Sequence, residues 1–86
     1  MNNVLPNYSL TAICTLFPEL SRDQVQCLLY YSLGFSSEKV ASINGCSSKT
    51  IRNKISSIRE KLSLSSTSEL RVIFFLRILI PTQNNT

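Results

Sequence analysis

With 86 residues the chain is sized for one domain, too small for a two-domain cleft, a Rossmann fold or a barrel. Its make-up, 43 % hydrophobic and 16 % charged with two Gly and three Pro, is globular rather than disordered. A net charge of +4 suits a polyanionic partner, and the absence of histidine removes the commonest general base and metal ligand.

Residues 1–8 lack the basic stretch and apolar run of a signal peptide. Leu5-Pro6-Asn7 reads as extended, and Leu10, Ile13, Cys14 and Phe17 then recur at helical spacing. A short helix over 11–17 is expected, capped by Ser9 and stopped by Pro18. Ser21-Arg22-Asp23-Gln24 matches a capping box and opens a helix carrying Val25, Leu28 and Leu29, which ends at Gly34. Ser36 or Ser37 caps a shorter helix with Val40, Ala41 and Ile43 inward, and Asn44-Gly45 supplies a sharp turn. Ser47 caps a helix running unbroken over 48–62. Ser66-Thr67-Ser68-Glu69 is a second capping box, opening a helix over 67–79 that Pro81 closes, with a polar tail over 81–86. No stretch alternates at period two, so the fold class expected is all-α.

The cysteines Cys14, Cys27 and Cys46 are odd in number and form no C-x-x-C pair, so they read as reduced core residues of a cytoplasmic protein. No metal, cofactor or catalytic pair is expected, because five scattered acids and no histidine give serine no base. The longest apolar run, 72–80, is broken by Arg77 and too short for a membrane span.

Five of the nine basic residues (Lys49, Arg52, Lys54, Arg59 and Lys61) lie in the 48–62 helix beside one carboxylate, Glu60. At about 100° per residue with Lys49 at zero, Ile51, Ile55, Ile58 and Leu62 fall between about 180° and 240°, a core stripe. Lys49, Arg52, Asn53 and Ser56 lie within about 60° of the opposite direction. Arg and Asn carry the planar multi-donor ends that match base edges, and the major groove admits one helix. The plain alternative is a solvated basic face. A short helix, a turn holding Gly45 and a basic amphipathic helix together make the helix-turn-helix arrangement.

The residues also resemble a family. Leu20-Ser21, Gly34-x-Ser36-Ser37-x-x-Val40-Ala41, Ser47-x-Lys49-Thr50-Ile51-Arg52-Asn53-x-Ile55-x-x-Ile58, Lys61-Leu62 and Ser68-Glu69-Leu70 look like the LuxR/GerE-type DNA-binding domain of bacterial regulators. The match runs without gaps over 20–79, about two-thirds of the chain. It implies a four-helix helix-turn-helix domain over 20–80 behind a short helical extension over 1–19, with its third helix in the major groove of double-stranded DNA. By position, Arg52, Asn53 and Ser56 would face bases, while Lys49, Thr50 and Lys61 would hold phosphates and Lys54 would add charge near the backbone. Three positions depart from the pattern: Gln24 stands for a usual Glu, Asn44 for a core Leu and Lys54 for a frequent His. Family members usually carry a receiver or ligand-sensing domain, for which nineteen extra residues leave no room, so control by expression level, partner or dimerisation is expected.

The last helix is apolar nearly all round, and a small domain cannot cover every face of it. Its surplus surface meets a second copy, with Leu70, Ile73, Phe74 and Arg77 as the expected dimer contact. Alternatively the N-terminal Leu10, Ile13 and Phe17 fold back over it. A homodimer on DNA, nucleoid-associated when bound, is the leading reading; an interaction protein that pairs with a related regulator is the alternative.

Overall fold

The computed structural model describes residues 7–80, with side chains from Leu10 onward. Leu5-Pro6 and the tail 81–86 lie outside the described residues, as does the side chain of Ser9. Five α-helices and no strand occur among the described residues: α1 (Asn7–Cys14), α2 (Arg22–Ser32), α3 (Ser37–Asn44), α4 (Ser48–Lys61) and α5 (Ser68–Leu79). The fold is all-α, as the periodicity implies.

The caps explain most of the boundaries. Ser21 Oγ accepts from the Gln24 amide at 3.2 Å while Gln24 Oε1 accepts from the Ser21 amide at 3.0 Å, so the first capping box is complete. Ser36 Oγ caps α3 through the Lys39 amide at 3.1 Å. Helices α2, α3 and α4 each end in the same pair of reversed bonds. Phe35 and Gly34 amides donate to Tyr30 and Tyr31, Cys46 and Gly45 to Ala41 and Ser42, and Leu64 and Ser63 to Arg59 and Glu60. That geometry needs a left-handed residue, supplied by Gly45 at φ 70° but by Ser63 at φ 58° after α4.

Two boundaries differ from the sequence reading. Helix α1 starts at Asn7, so Ser9 lies inside it, and it stops at Cys14 because the chain tightens into i−3 bonds from Leu16 to Ile13 and from Phe17 to Cys14. The second capping box forms only by half. Glu69 Oε1 takes the Ser65 and Ser66 amides at 2.8 and 3.4 Å, but Ser66 Oγ bonds Ser68 Oγ instead, and Thr67 is helical with no side-chain cap.

Helix α2 is the hub, packing against each of the other four. Its Val25, Cys27, Leu28, Leu29 and Tyr30 join Val40, Ile51, Ile55, Ile58, Leu70 and Phe74 in one core. Leu10, Ile13 and Cys14 of α1 pack against that core from outside. Two arginines of α5 fasten the periphery. Arg71 donates to the Ser32 and Tyr31 carbonyls at 3.1 and 3.4 Å and lies over the Tyr31 ring, giving the C-terminus of α2 the cation its own last turn lacks. Arg77 grips Glu19 through two bonds of 2.9 and 2.8 Å, donates to the Leu16 carbonyl at 2.8 Å and covers the Phe17 ring. Phe17 stacks on Phe74 with centroids 5.8 Å apart, so the segment after α1 does fold back onto α5. Asn44, where the resemblance expects a core Leu, is half-buried, and its amide nitrogen finds no hydrogen-bond partner among the described residues.

Ser63→Gly relieves a left-handed serine and is expected to raise stability by about 0.5–1 kcal/mol in chemical denaturation; a loss would mean that Ser63 is not strained. The Arg77 guanidinium holds the Glu19 carboxyl below its usual pKa, chiefly through the hydrogen bond. That contribution is complete above the ordinary carboxylate pKa and disappears as pH falls through the lowered one. Wild type should therefore exceed Glu19→Gln in melting temperature at neutral pH, with the gap closing in acid; a gap independent of pH would contradict the assignment.

Candidate nucleic-acid interface

Helix α4 leaves the turn with its N-terminus well fastened. Ser47 Oγ accepts from the Thr50 amide at 3.1 Å and shares a 3.0 Å hydrogen bond with Thr50 Oγ1. Ile51, Ile55 and Ile58 are 1, 5 and 0 % exposed, which turns one side of the helix wholly into the core. The opposite side is thereby forced outward: Lys49, Arg52, Asn53 and Ser56 are all exposed, and so is Thr50. There is no acid in the first turn of α4. The first carboxylate along it, Glu60, lies 3.5 Å from Arg59 near the far end. Arg52 is lightly held, with Nη1 3.3 Å from Ser48 Oγ, and can swing outward without breaking an ion pair.

A depression borders this face on either side. Toward the start of α2 runs a polar groove of about 450 Å³, lined among others by Ser21, Gln24, Thr50, Asn53 and Ser57. Two ties cross it. Lys54 Nζ sits 2.6 Å from Asp23 Oδ2, and Lys61 Nζ donates to Gln24 Oε1 at 3.2 Å. The Asp23 hydrogen bond raises the pKa of Lys54, so the ammonium stays charged. On the other side a cleft of about 290 Å³ lies between Arg52, Ile55 and Ser56 of α4 and Tyr31, Ser37 and Thr67. Lys49, Thr50, Arg52, Asn53 and Ser56 thus share one surface, and Lys61 lies exposed at its end. Lys54 is half-buried and engaged by Asp23, a pairing of residues too far apart in sequence to leave a local signal.

The residues assigned from sequence to the dimer contact stand elsewhere. Leu70 and Phe74 are 0 and 1 % exposed, sealed in the core under Phe17; Ile73 is half-buried; Arg77 is occupied by Glu19. What α5 leaves in water is Val72, Leu76 and Leu79, with Ile80 beyond its end, at 58, 47, 73 and 66 % exposure. With Arg71 and Phe75 they line an apolar groove of about 490 Å³. Both triplets keep helical spacing. On the wheel, 70, 74 and 77 lie about 180° from 72, 76 and 79, and only the position of Phe17 and α2 shows which side faces inward.

A helix that packs on α2, a left-handed turn at Gly45, and a second helix with a buried aliphatic stripe and a basic outer face define a helix-turn-helix domain. Residues 18–74 match the family model described as "Bacterial regulatory proteins, luxR family", the GerE domain, and the chain belongs to this family. It is a DNA-binding domain of transcription regulation. The match takes in α2 to α4 and the first half of α5, leaving α1 outside. No curated protein and no solved structure matches the chain.

Among the described residues no cluster of acids and cysteines could hold a metal ion, and no helix is long and apolar enough to cross a membrane. Cys27 is fully buried and burial pushes its thiol up to about 11, whereas Cys14 and Cys46 are half-buried. Native protein treated with iodoacetamide at mildly alkaline pH should leave Cys27 unmodified until denaturant is added. Alkylation of Cys27 in the native state, read by peptide mass, would show that the core opens far more readily than this packing implies.

Proposed function

We propose that the domain reads specific double-stranded DNA by placing α4 in the major groove. The observation that carries the reading is the exposed, acid-free face of Lys49, Arg52, Asn53 and Ser56 over the first turns of a helix whose other side is locked in the core. In this reading Arg52, Asn53 and Ser56 meet base edges, while Lys49, Thr50 and Lys61 meet phosphates, which supply affinity and register. Arg52 has the reach and the loose tether this needs. The domain pairs with a second copy through Val72, Leu76 and Leu79, since an uncovered apolar strip of this kind is uncommon on a monomer. A two-fold pair then presents two recognition helices to half-sites about one helical turn apart. The same apolar strip also suits a related regulator as a mixed partner, which is the second reading.

Binding sites selected from a random duplex pool give the DNA for the test. Arg52→Ala should lose about 1–3 kcal/mol on the selected site and relax base preference there. Lys49→Ala should weaken selected and random duplexes alike and lower the salt slope by about one. Unchanged specific affinity in Arg52→Ala would overturn the docking, and no selected sequence at all would overturn the reading. Sedimentation of Leu76→Glu beside wild type tests the pairing surface: wild type should be a dimer and the variant a monomer, whereas two monomers would favour the mixed-partner reading.

A further inference from the structure

We infer that Asp23 sets the strength of backbone binding: by keeping Lys54 paired across the seam between α2 and α4, it withholds one cation from the DNA backbone. The inference rests on the DNA reading above. Lys54 stands on the flank of α4 that faces the start of α2, beside Thr50, Ser57 and Lys61 in the polar groove. A phosphate strand running along a groove-bound α4 on that side passes these residues. Lys54 would be a natural contact for it, yet its ammonium is 2.6 Å from the Asp23 carboxylate, which is itself 61 % exposed at the mouth of the groove.

Asp23 lies in the first turn of α2, where the helix dipole favours a negative charge. The pair is therefore two full charges that cancel, not a neutral contact. Exposed ion pairs are weak, and a phosphate could in principle open this one. Doing so would leave the Asp23 carboxylate unpaired beside a phosphate, so like-charge repulsion keeps Lys54 where it is. The neighbouring tie makes the contrast. Lys61 donates to Gln24, a neutral amide that cancels nothing, so its charge stays available. Among the residues lining the groove Asp23 is the only carboxylate. Its effect falls on backbone attraction, which every sequence shares, and leaves Arg52, Asn53 and Ser56 untouched. General attraction is thereby lowered on selected and random duplexes alike, while the ratio between them is left to the base contacts.

The test compares wild type, Asp23→Asn, Lys54→Gln and the double variant on a selected duplex and a random duplex, by fluorescence anisotropy across a salt series. Thermal melts establish that each variant is folded. Asp23→Asn should tighten random-duplex binding severalfold at low salt and steepen the slope of log K against log salt by about 0.9, the value for one added phosphate contact. Lys54→Gln alone uncovers the Asp23 carboxylate and should weaken binding to both duplexes, whereas the double variant, in which neither charge remains, should return to the wild-type slope. A slope about 0.9 lower in the double variant than in wild type would overturn the inference, because Lys54 would already hold a phosphate in the wild type. An unchanged slope in Asp23→Asn would overturn it as well. Should wild type bind neither duplex at low salt, the DNA reading itself fails, a result distinct from either of these.

Discussion

Burial of Ile51, Ile55 and Ile58 is the constraint on which the rest depends. Three isoleucines on one side of α4 admit only one rotation of that helix against α2 and α3. A turn of 100° would put a charged or amide side chain into the core, at a cost of several kcal/mol for an unpaired charge. The orientation of Lys49, Arg52, Asn53 and Ser56 is thus a by-product of apolar packing. The orientation of this face needs no stabilising interactions of its own, because the opposite side of the helix already fixes it.

A domain of this size has little core to spare, and the structure shows where it compensates. Helix α2 touches every other helix, so its apolar residues between them serve four interfaces. Around that hub the arginines of α5 act as clamps: Arg71 on the carbonyl end of α2, Arg77 on Glu19, Leu16 and Phe17. Together with the Phe17–Phe74 stack, these contacts make the segment after α1 part of the fold rather than an appendage. Committing the 70, 74 and 77 side of α5 inward has a direct consequence. The strip at 72, 76 and 79 is left exposed, with nothing among the described residues to cover it.

What could be read from the sequence was what is encoded locally. Ser21 with Gln24, Ser36, Gly45 and Ser47 act over three or four residues, and each does in the structure what its neighbours require. The outward set on α4 was legible for the same reason, since a wheel needs only the helix itself. The misplacements come from competition or from distance. Ser66 Oγ had two partners in reach, the Glu69 amide and the Ser68 hydroxyl, and bonded Ser68, which halved the second capping box. Helix α5 carries apolar residues on both sides, Leu70 and Phe74 on one and Val72, Leu76 and Leu79 on the other, and the choice between them is made by Phe17, far away in the chain. The Asp23–Lys54 tie likewise joins two helices and has no signature in either.

Amide chemical shifts recorded with and without a selected duplex at low salt would show whether the outer face of α4 is the surface that meets DNA. The largest changes are expected at Lys49, Arg52, Asn53 and Ser56, with the amides of Val72, Leu76 and Leu79 left in place. Shifts confined to α5, or none anywhere, would contradict that docking.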